Sequence, residues 1–313
     1  MKKVKVVVPS SIGNVGPGFD CLGVALKLYN KFECWYDLSS QRKHGKPCIQ
    51  VVGSSVDRDV VEEITKNNVV LSTIEKVCKK YNIKPNISKL IMEVNIPLAR
   101  GLGSSGTAYI AGVAIGDAIC GNNMSGEEVV NFAVSLEGHP DNIVASYYGG
   151  LCASTLVENK VKHIKVEVPN ELVVLLFIPD IKISTEVARK ILPASIPRGD
   201  CVKNLGNLSL LLLSILSKKY ELIKLGIQDY LHQPYRRKIM PWMYEVFSIF
   251  ERHSKVLGVA LSGAGPTIFG IYRRSEVTED IAFKLLGYIR KRIGIDGECK
   301  IIDFDNRGTR VIL

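Results

Sequence analysis

Apolar and polar residues alternate almost from the start. Val4-Lys5-Val6-Val7-Val8 reads as a strand, and Leu22 to Asp37, with Phe32, Trp35 and Tyr36, as a further strand. Gln41 to Pro47 is a polar, turn-rich loop. The period then becomes helical over Asn67 to Tyr81, where Val69, Val70, Ile74, Val77 and Cys78 share one face. Lys89 to Asn95 returns to strand. Ser125-Gly126-Glu127-Glu128 opens a helix continued by Val129, Val130, Phe132, Ala133 and Leu136. Another helix begins around Asp141 and ends at Gly149-Gly150, and a hairpin follows over Leu151 to Val168.

Pro169-Asn170 marks a boundary between a domain of residues 1–168 and one of residues 169–313. Beyond it, Leu172 to Ile178 predicts a buried strand, and Lys203 to Ser217, Tyr220 to Asp229 and Trp242 to His253 predict helices. Val256 to Leu261 and Thr267 to Tyr272 are strands joined by a Ser-Gly-Ala-Gly-Pro loop. A helix over Val277 to Ile293 and a strand over Lys300 to Phe304 follow. Strands mixed with helices without strict βαβ repetition predict an α+β fold.

Composition narrows the function classes. The 313 residues suit one large domain or two modest ones, and 46% hydrophobic residues are ample for a core. Lys and Arg exceed Asp and Glu to give a net charge of +10, which suits either nucleic acid or a cleft that draws in small anions such as ATP. There is no zinc spacing, no RNA-binding aromatic signature and no long basic run, the densest being Arg236-Arg237-Lys238. Nucleic-acid binding is therefore not expected, and lysine-rich surface usage accounts for most of the excess. Eight scattered cysteines without a Cys-x-x-Cys pair predict reduced thiols in a cytoplasmic protein. The immediate strand predicts no signal peptide. Leu205 to Leu216, the most apolar run, is too short to span a bilayer and reads as a buried helix, so no membrane partner is expected.

The densest chemistry lies in Pro97-Leu98-Ala99-Arg100-Gly101-Leu102-Gly103-Ser104-Ser105-Gly106-Thr107, which runs into the small, helix-compatible residues Ala108 to Ile119. Glycines let backbone amides approach an anion, and a following helix aims its unpaired N–H groups and positive end at it. The pattern describes a phosphate cradle. It is neither a Walker A loop, which needs lysine after its last glycine, nor the dinucleotide fingerprint. On spacing alone such a loop is more often a plain connection.

Its company changes that reading. Pro9-Ser10-Ser11-Ile12-Gly13-Asn14-Val15-Gly16-Pro17-Gly18-Phe19-Asp20 opens the chain, and Leu261-Ser262-Gly263-Ala264-Gly265-Pro266-Thr267 lies near its end. These three segments, in this order, resemble the motifs of the small-molecule kinase superfamily of galactokinase, homoserine kinase, mevalonate kinase and phosphomevalonate kinase (GHMP kinases). The finer resemblance is to the homoserine kinases. It is carried by Asn14 with Gly18-Phe19-Asp20, by Glu137-Gly138-His139-Pro140-Asp141-Asn142, by Ile183 to Pro193 and by Gln233-Pro234-Tyr235-Arg236-Arg237. It covers nearly the whole chain except Cys34 to Lys66. Ile12 stands where an alanine is usual in the family, and Gly106 where many of its members have alanine.

The resemblance implies two α+β lobes, the second ferredoxin-like, with the active site in the cleft between them. It implies ATP-dependent phosphorylation of L-homoserine in threonine biosynthesis. Pro97, Arg100 and the residues from Gly101 to Thr107 (Leu102, Gly103, Ser104, Ser105 and Gly106 between them) would face ATP. Ser105 and Glu137 would hold Mg²⁺, and Asn68 would lie beside the adenine or serve only as a helix cap. Asp141 stands as either a general base or a supporting residue, with Asn142 orienting the substrate hydroxyl. A carboxylate suits arginine, so Arg189 and Arg236 would take the substrate's carboxyl group. Asp20 and Asn14 would take its ammonium, with His139 and Gly263 as neighbours. The resemblance is compatible with a homodimer. Two alternatives stay open: a mevalonate-type sibling kinase, and an ATP-binding regulator that has lost catalysis.

Overall fold

The computed structural model describes residues 1–38 and 46–313, so most of the expected Gln41 to Pro47 loop lies outside the described residues. The first lobe runs β1 (Lys2–Gly13), β2 (Leu22–Asp37), β3 (Cys48–Val52), α1 (Arg58–Lys66), α2 (Val69–Lys80), β4 (Asn86–Glu93), α3 (Ser104–Ile119), α4 (Gly126–Glu137), α5 (Pro140–Tyr148), β5 (Leu151–Val157) and β6 (Lys160–Val166). The second runs β7 (Leu172–Pro179), α6 (Thr185–Lys190), α7 (Arg198–Leu216), α8 (Ile223–Gly226), α9 (Gln233–Arg236), α10 (Met243–Glu251), β8 (Gly258–Leu261), β9 (Ile268–Arg273), α11 (Glu279–Ile293) and β10 (Gly297–Asp303). A last strand, β11 (Arg310–Ile312), returns to the first lobe and pairs with β1.

The first sheet has the order β11-β1-β2-β4-β3, with the β5–β6 hairpin added along β2. The second is fully antiparallel in the order β10-β7-β9-β8. Counted from β7, that is strand order 4-1-3-2 with helical crossovers, the ferredoxin-like arrangement. The architecture is thus α+β in two lobes. The elements the periodicity predicts are present. Those it does not predict are β3 and α1, within the stretch that matches little, the short helices α6 and α9, and β11. The expected helix over Tyr220 to Asp229 is only a 3₁₀ turn followed by the single-turn α8.

Three apolar cores follow from the patterning. Val4, Val6 and Val8 of β1 and Phe32 of β2 face Val70, Ile74 and Val77 of α2 and Ile110 and Val113 of α3. A second core crosses between the lobes: Ile12, Val24, Leu26 and Leu102 pack with Val174 and Leu176 of β7, Ile223 and Phe269. A third fills the space between the second sheet and α10 and α11. The crossing core packs the two lobes against each other beside the cleft, and a close-packed interior resists sliding.

One expectation is corrected here. Helix α7 is not buried: Leu211 and Ile215 face inward, whereas Val202, Leu205, Leu213 and Leu216 are each more than half exposed. The run from Leu205 to Leu216 carries more leucines than one face can bury. No helix among the described residues is long and apolar enough to cross a membrane.

Two helical glycines make a test of this packing. A Cβ on Gly112 of α3 would stand 2.5 Å from Thr73 Cβ and 3.0 Å from the Val70 carbonyl of α2, whereas one on Gly206 of α7 meets nothing within 4 Å. Gly206→Ala is expected to stabilise the fold by ~0.5–1 kcal/mol through lower unfolded-state entropy and better helix propensity. Gly112→Ala is expected to destabilise it, overpacking costing about 1–3 kcal/mol against that same gain. Thermal melts check both signs.

Candidate active site

The segment from Ala99 to Gly103 is held by its carbonyls. The Ile183 amide donates to Ala99 O (3.2 Å), the Thr267 amide to Arg100 O (3.2 Å) and the Thr107 amide to Gly103 O (3.1 Å). Ser262 Oγ donates to Gly101 O at 2.6 Å and Ser10 Oγ to Leu102 O at 2.9 Å. Ala99, Gly101 and Gly103 all have positive φ. At Gly101 this freedom combines with close approach, since a Cβ there would run into the Ser262 carbonyl.

With the carbonyls engaged by protein donors, the amides are what the loop offers. Gly103 is the N-cap of α3 and no side chain caps that helix. The amides of Gly103, Ser104, Ser105 and Gly106 therefore have no helical partner. Together with the helix dipole they form an anion site. Pro97 and the loop from Arg100 to Ser105 line a cavity of about 390 Å³ between the lobes, a volume within the range of small-molecule sites. Arg100 adds a guanidinium Nη1 that is buried without a partner. An orphaned donor beside a ring of free amides fits a polyphosphate.

Three expected contacts stand apart from the cavity wall. Thr107 Oγ1 donates to Ser104 O at 2.7 Å and accepts from Asn30 at 2.9 Å, so its hydroxyl braces the helix. Gly106 lies against Ile143 and contributes only its amide. Asn68 caps α2, accepting from the Leu71 amide at 2.9 Å, while its neighbours Asn67 and Val69 line the cavity. Ser104 lines the cavity, but its hydroxyl donates to Ile96 O at 3.2 Å.

Opposite the loop, α4 ends at Glu137 and α5 begins at Pro140, bringing Glu137, His139, Asp141 and Asn142 to the cavity. Ser105 Oγ donates to Glu137 Oε2 at 2.9 Å. Two hard oxygens side by side, next to the amide ring, suit a Mg²⁺ ion that takes its other ligands from phosphate and water. Burial pushes the Glu137 carboxyl up to about 7, while the Ser105 hydrogen bond opposes the shift.

Asp141 is buried, and its Oδ2 accepts the Asn14 amide at 3.2 Å. Burial, and then the charge of Asp20, push its pKa up to about 6. Asn142 Oδ1 accepts from Ser11 Oγ at 2.9 Å, and Ser11 in turn accepts from Ser146 at 3.0 Å, so the Asn142 amide nitrogen is the group left to offer. Gly13 makes this possible: a Cβ there would collide with Asp141 Oδ2 and lie 2.6 Å from Asn142 Nδ2. Burial and the nearby Arg189 hold the His139 imidazole below its ordinary pKa.

The polar end of the cavity is built around Asp20 and Arg189, which form a bidentate pair at 3.0 and 2.5 Å. Arg189 Nε is buried without a partner. Arg236 is only 1% exposed; its Nη1 donates to Gly263 O at 2.7 Å. Both guanidinium groups lie over the Phe19 ring, 5.5 and 5.7 Å from its centroid. Asn14 lines the cavity beside them and is braced there: its Nδ2 donates to Gly263 O at 3.0 Å and its Oδ1 accepts the Asp20 amide at 3.0 Å. The sequence reading missed Phe19 as a platform and the bracing serines Ser10, Ser11 and Ser262. All four lie inside the quoted motifs, but nothing local separates a bracing hydroxyl from a binding one.

The chain matches the family model described as GHMP kinases N terminal domain over residues 68–150 and that described as GHMP kinases C terminal over residues 211–286. It is 38% identical over 276 residues to the homoserine kinase of Carboxydothermus hydrogenoformans, covering 87% of this chain and 86% of the relative. It is 36% identical over 309 residues to that of Caldanaerobacter subterraneus, covering 99% and 95%. Among solved structures it resembles homoserine kinase from Cytophaga hutchinsonii with a TM-score of 0.81 at 26% identity, covering 100% and 98% of the two chains. The fold also matches a mevalonate kinase of L. major with a TM-score of 0.70 at 13% identity.

The position of Asp141 generates a stability prediction. Its folded pKa of about 6 exceeds the ordinary 3.8, so the folded state holds the proton more tightly than the unfolded chain. Ionised Asp141 therefore destabilises the fold as pH rises between those values, and the penalty persists above them. Asp141→Asn is expected to raise stability at pH 8 by up to about 3 kcal/mol, at 1.36 kcal/mol per pKa unit, with the gain gone below about pH 4. Melts at the two pH values check it; an Asn variant less stable at pH 8 would show the carboxylate to be fully compensated.

Proposed function

The chain belongs to the homoserine kinase family of the GHMP kinases, and on that premise we propose how its residues transfer the γ-phosphoryl group of ATP to the side-chain hydroxyl of L-homoserine. The protein is an ATP-dependent small-molecule kinase. The observation that carries the reading is that one cavity holds an amide-lined anion loop at one end and the Asp20–Arg189 pair, backed by Arg236, at the other.

The amides from Gly103 to Gly106, with Arg100, hold the phosphates. Asn67 and Val69, rather than Asn68, are positioned to meet the adenine side. Ser105 and Glu137 would hold Mg²⁺, which supplies positive charge where the transferred phosphoryl group gathers negative charge. A zwitterionic amino acid fits the far end by exchange: its carboxylate takes the place of Asp20 on Arg189 and its ammonium the place of Arg189 on Asp20. Each charge keeps an opposite partner, so little uncompensated desolvation accompanies binding. Arg236 presents Nη2 to the same carboxylate, and the Asn142 amide orients the hydroxyl. As the hydroxyl oxygen bonds to phosphorus and the bond to ADP breaks, the hydroxyl proton passes to the Asp141 carboxylate. A carboxylate of pKa about 6 is still largely ionised at neutral pH and can accept it.

A division at 168/169, with β11 returning to the first lobe's sheet, would separate a lobe carrying the phosphate loop from one carrying Arg189, Arg236 and Gly263. The eight free cysteines support a reducing compartment, the cytoplasm.

A coupled ADP-release assay tests the reading. Homoserine is expected to be turned over with Mg²⁺ and not after chelation, whereas 4-hydroxybutyrate, which leaves Asp20 unpaired, is expected to bind at least tenfold more weakly. Robust turnover of mevalonate with none of homoserine would overturn the assignment.

Variants separate the roles. Glu137→Gln is expected to lower kcat strongly while the fold melts near the wild-type temperature. Arg189→Ala is expected to raise the homoserine KM by roughly ten- to a hundredfold, a charged hydrogen bond being worth about 1.5–3 kcal/mol, with the ATP KM nearly unchanged. Asp141→Asn should cost about 10² to 10⁴ in rate if Asp141 is the base. A fall below tenfold would leave catalysis to charge stabilisation and positioning.

A further inference from the structure

We infer that His232 is a positioning residue of the amino-acid pocket: as a neutral imidazole protonated on Nε2, it holds Arg236 in place through its bare Nδ1. The inference rests on the reading of Arg236 as a carboxylate ligand and adds a residue that does not itself touch substrate.

The two ring contacts determine the tautomer. Nε2 lies 2.9 Å from the Gly16 carbonyl, which can only accept, so Nε2 carries the proton. Nδ1 lies 2.9 Å from Arg236 Nη1, which can only donate, so Nδ1 is bare. An imidazolium would break the second bond and set two cations together. The groups that face the ring agree with a neutral form. Asp229 Oδ2 stands 3.4 Å from Nε2, on the side of the proton. Phe19 stacks on the ring with centroids 5.4 Å apart. Burial holds the imidazole down to about 4, with Arg236 acting in the same direction and Asp229 and Asp20 against it.

The surroundings make His232 a fixed post. Asp229 accepts the amides of Leu231, His232 and Gln233 at 2.9, 3.0 and 2.6 Å, which sets the chain entering α9. His232 is fully buried and stands four residues before Arg236. Arg236 carries five N–H donors. Nη1 bonds His232 and Gly263 O, and Nε lies 3.4 Å from Ala188 O, which leaves Nη2 for the cavity. An arginine side chain loses much rotamer freedom when fixed, so a guanidinium already held by protein acceptors gives up less of it on binding substrate. The same histidine ties Gly16, in the first motif, to Arg236 in a segment more than two hundred residues on.

Two substitutions divide its functions. Asn at 232 places an oxygen where Nδ1 stood and abandons the Gly16 bond; Gln places an amide near Nε2 and leaves Nδ1's role empty. His232→Gln is expected to raise the homoserine KM about tenfold or more with the ATP KM unchanged, and His232→Asn to recover most of that loss, although both melt lower than wild type. Added to Arg236→Ala, His232→Gln should raise the KM no further. Equal KM effects of the two variants, or additivity with Arg236→Ala, would overturn the inference while leaving the kinase reading intact. Failure of the wild-type enzyme to use homoserine would overturn the kinase reading instead. The tautomer is then judged separately by ¹⁵N NMR: a proton on Nε2 alone at pH 7 supports the inference, and a proton on Nδ1 refutes it.

Discussion

Four consecutive carbonyls, from Ala99 to Leu102, each accept a hydrogen bond from a distant part of the chain. A peptide whose oxygen is held on one side presents its amide elsewhere, so this pinning orients the loop's amides as one set. The donors come from both lobes: Ser10 and Ser11 from the first strand, Ile183, Ser262 and Thr267 from the second lobe. The proposed phosphate site is thus a property of the assembled molecule. A loose glycine loop would bind an anion only after ordering its own backbone, at a cost of roughly 1–2 kcal/mol per residue.

The same opposition of local cost and global compensation runs through the rest of the cleft. Asn14, Val15 and Asp20 hold positive φ in a segment where side chains disfavour it, at about 1–3 kcal/mol each. Asp141 is kept in a buried position that raises its pKa. Arg236 lies almost wholly inside the protein. These are poor choices for stability, and they converge within one cavity. The crossing core of Ile12, Leu102, Val174 and Phe269 supplies the apolar burial that offsets them and keeps the lobes from parting.

Charge explains the pocket's two ends. At one end it is supplied by backbone dipoles and Arg100, which suit the diffuse charge of phosphates. At the other it is supplied as a preformed pair, Asp20 with Arg189, which suits a ligand bearing both signs a few ångströms apart. A simple carboxylate leaves one partner of that pair unmatched and a neutral polyol matches neither, which favours an amino alcohol with a carboxyl group.

Much of this was legible in the residues alone. The alternation of Val4, Val6 and Val8, the helical stripe on α2 and the Gly-Ser loop before α3 are local patterns, and local sterics and burial suffice to produce the strand, the helix and the loop. The order of the three motifs carried the family and the two-lobed α+β architecture. What the chain did not disclose depends on partners far away in sequence. Whether a hydroxyl binds or braces was decided by tertiary packing: Thr107 and Ser104 brace, and Ser105 faces Glu137. Asn68 became a helix cap because Leu71 offered it an amide. The leucines of α7 were left outside because one helix face was enough for the core. The Asp20–Arg189 pair and the His232–Arg236–Gly263 chain of bonds have no local signature, because hydrogen bonds and ion pairs are set by distance in space, and only the folded chain brings those atoms within reach.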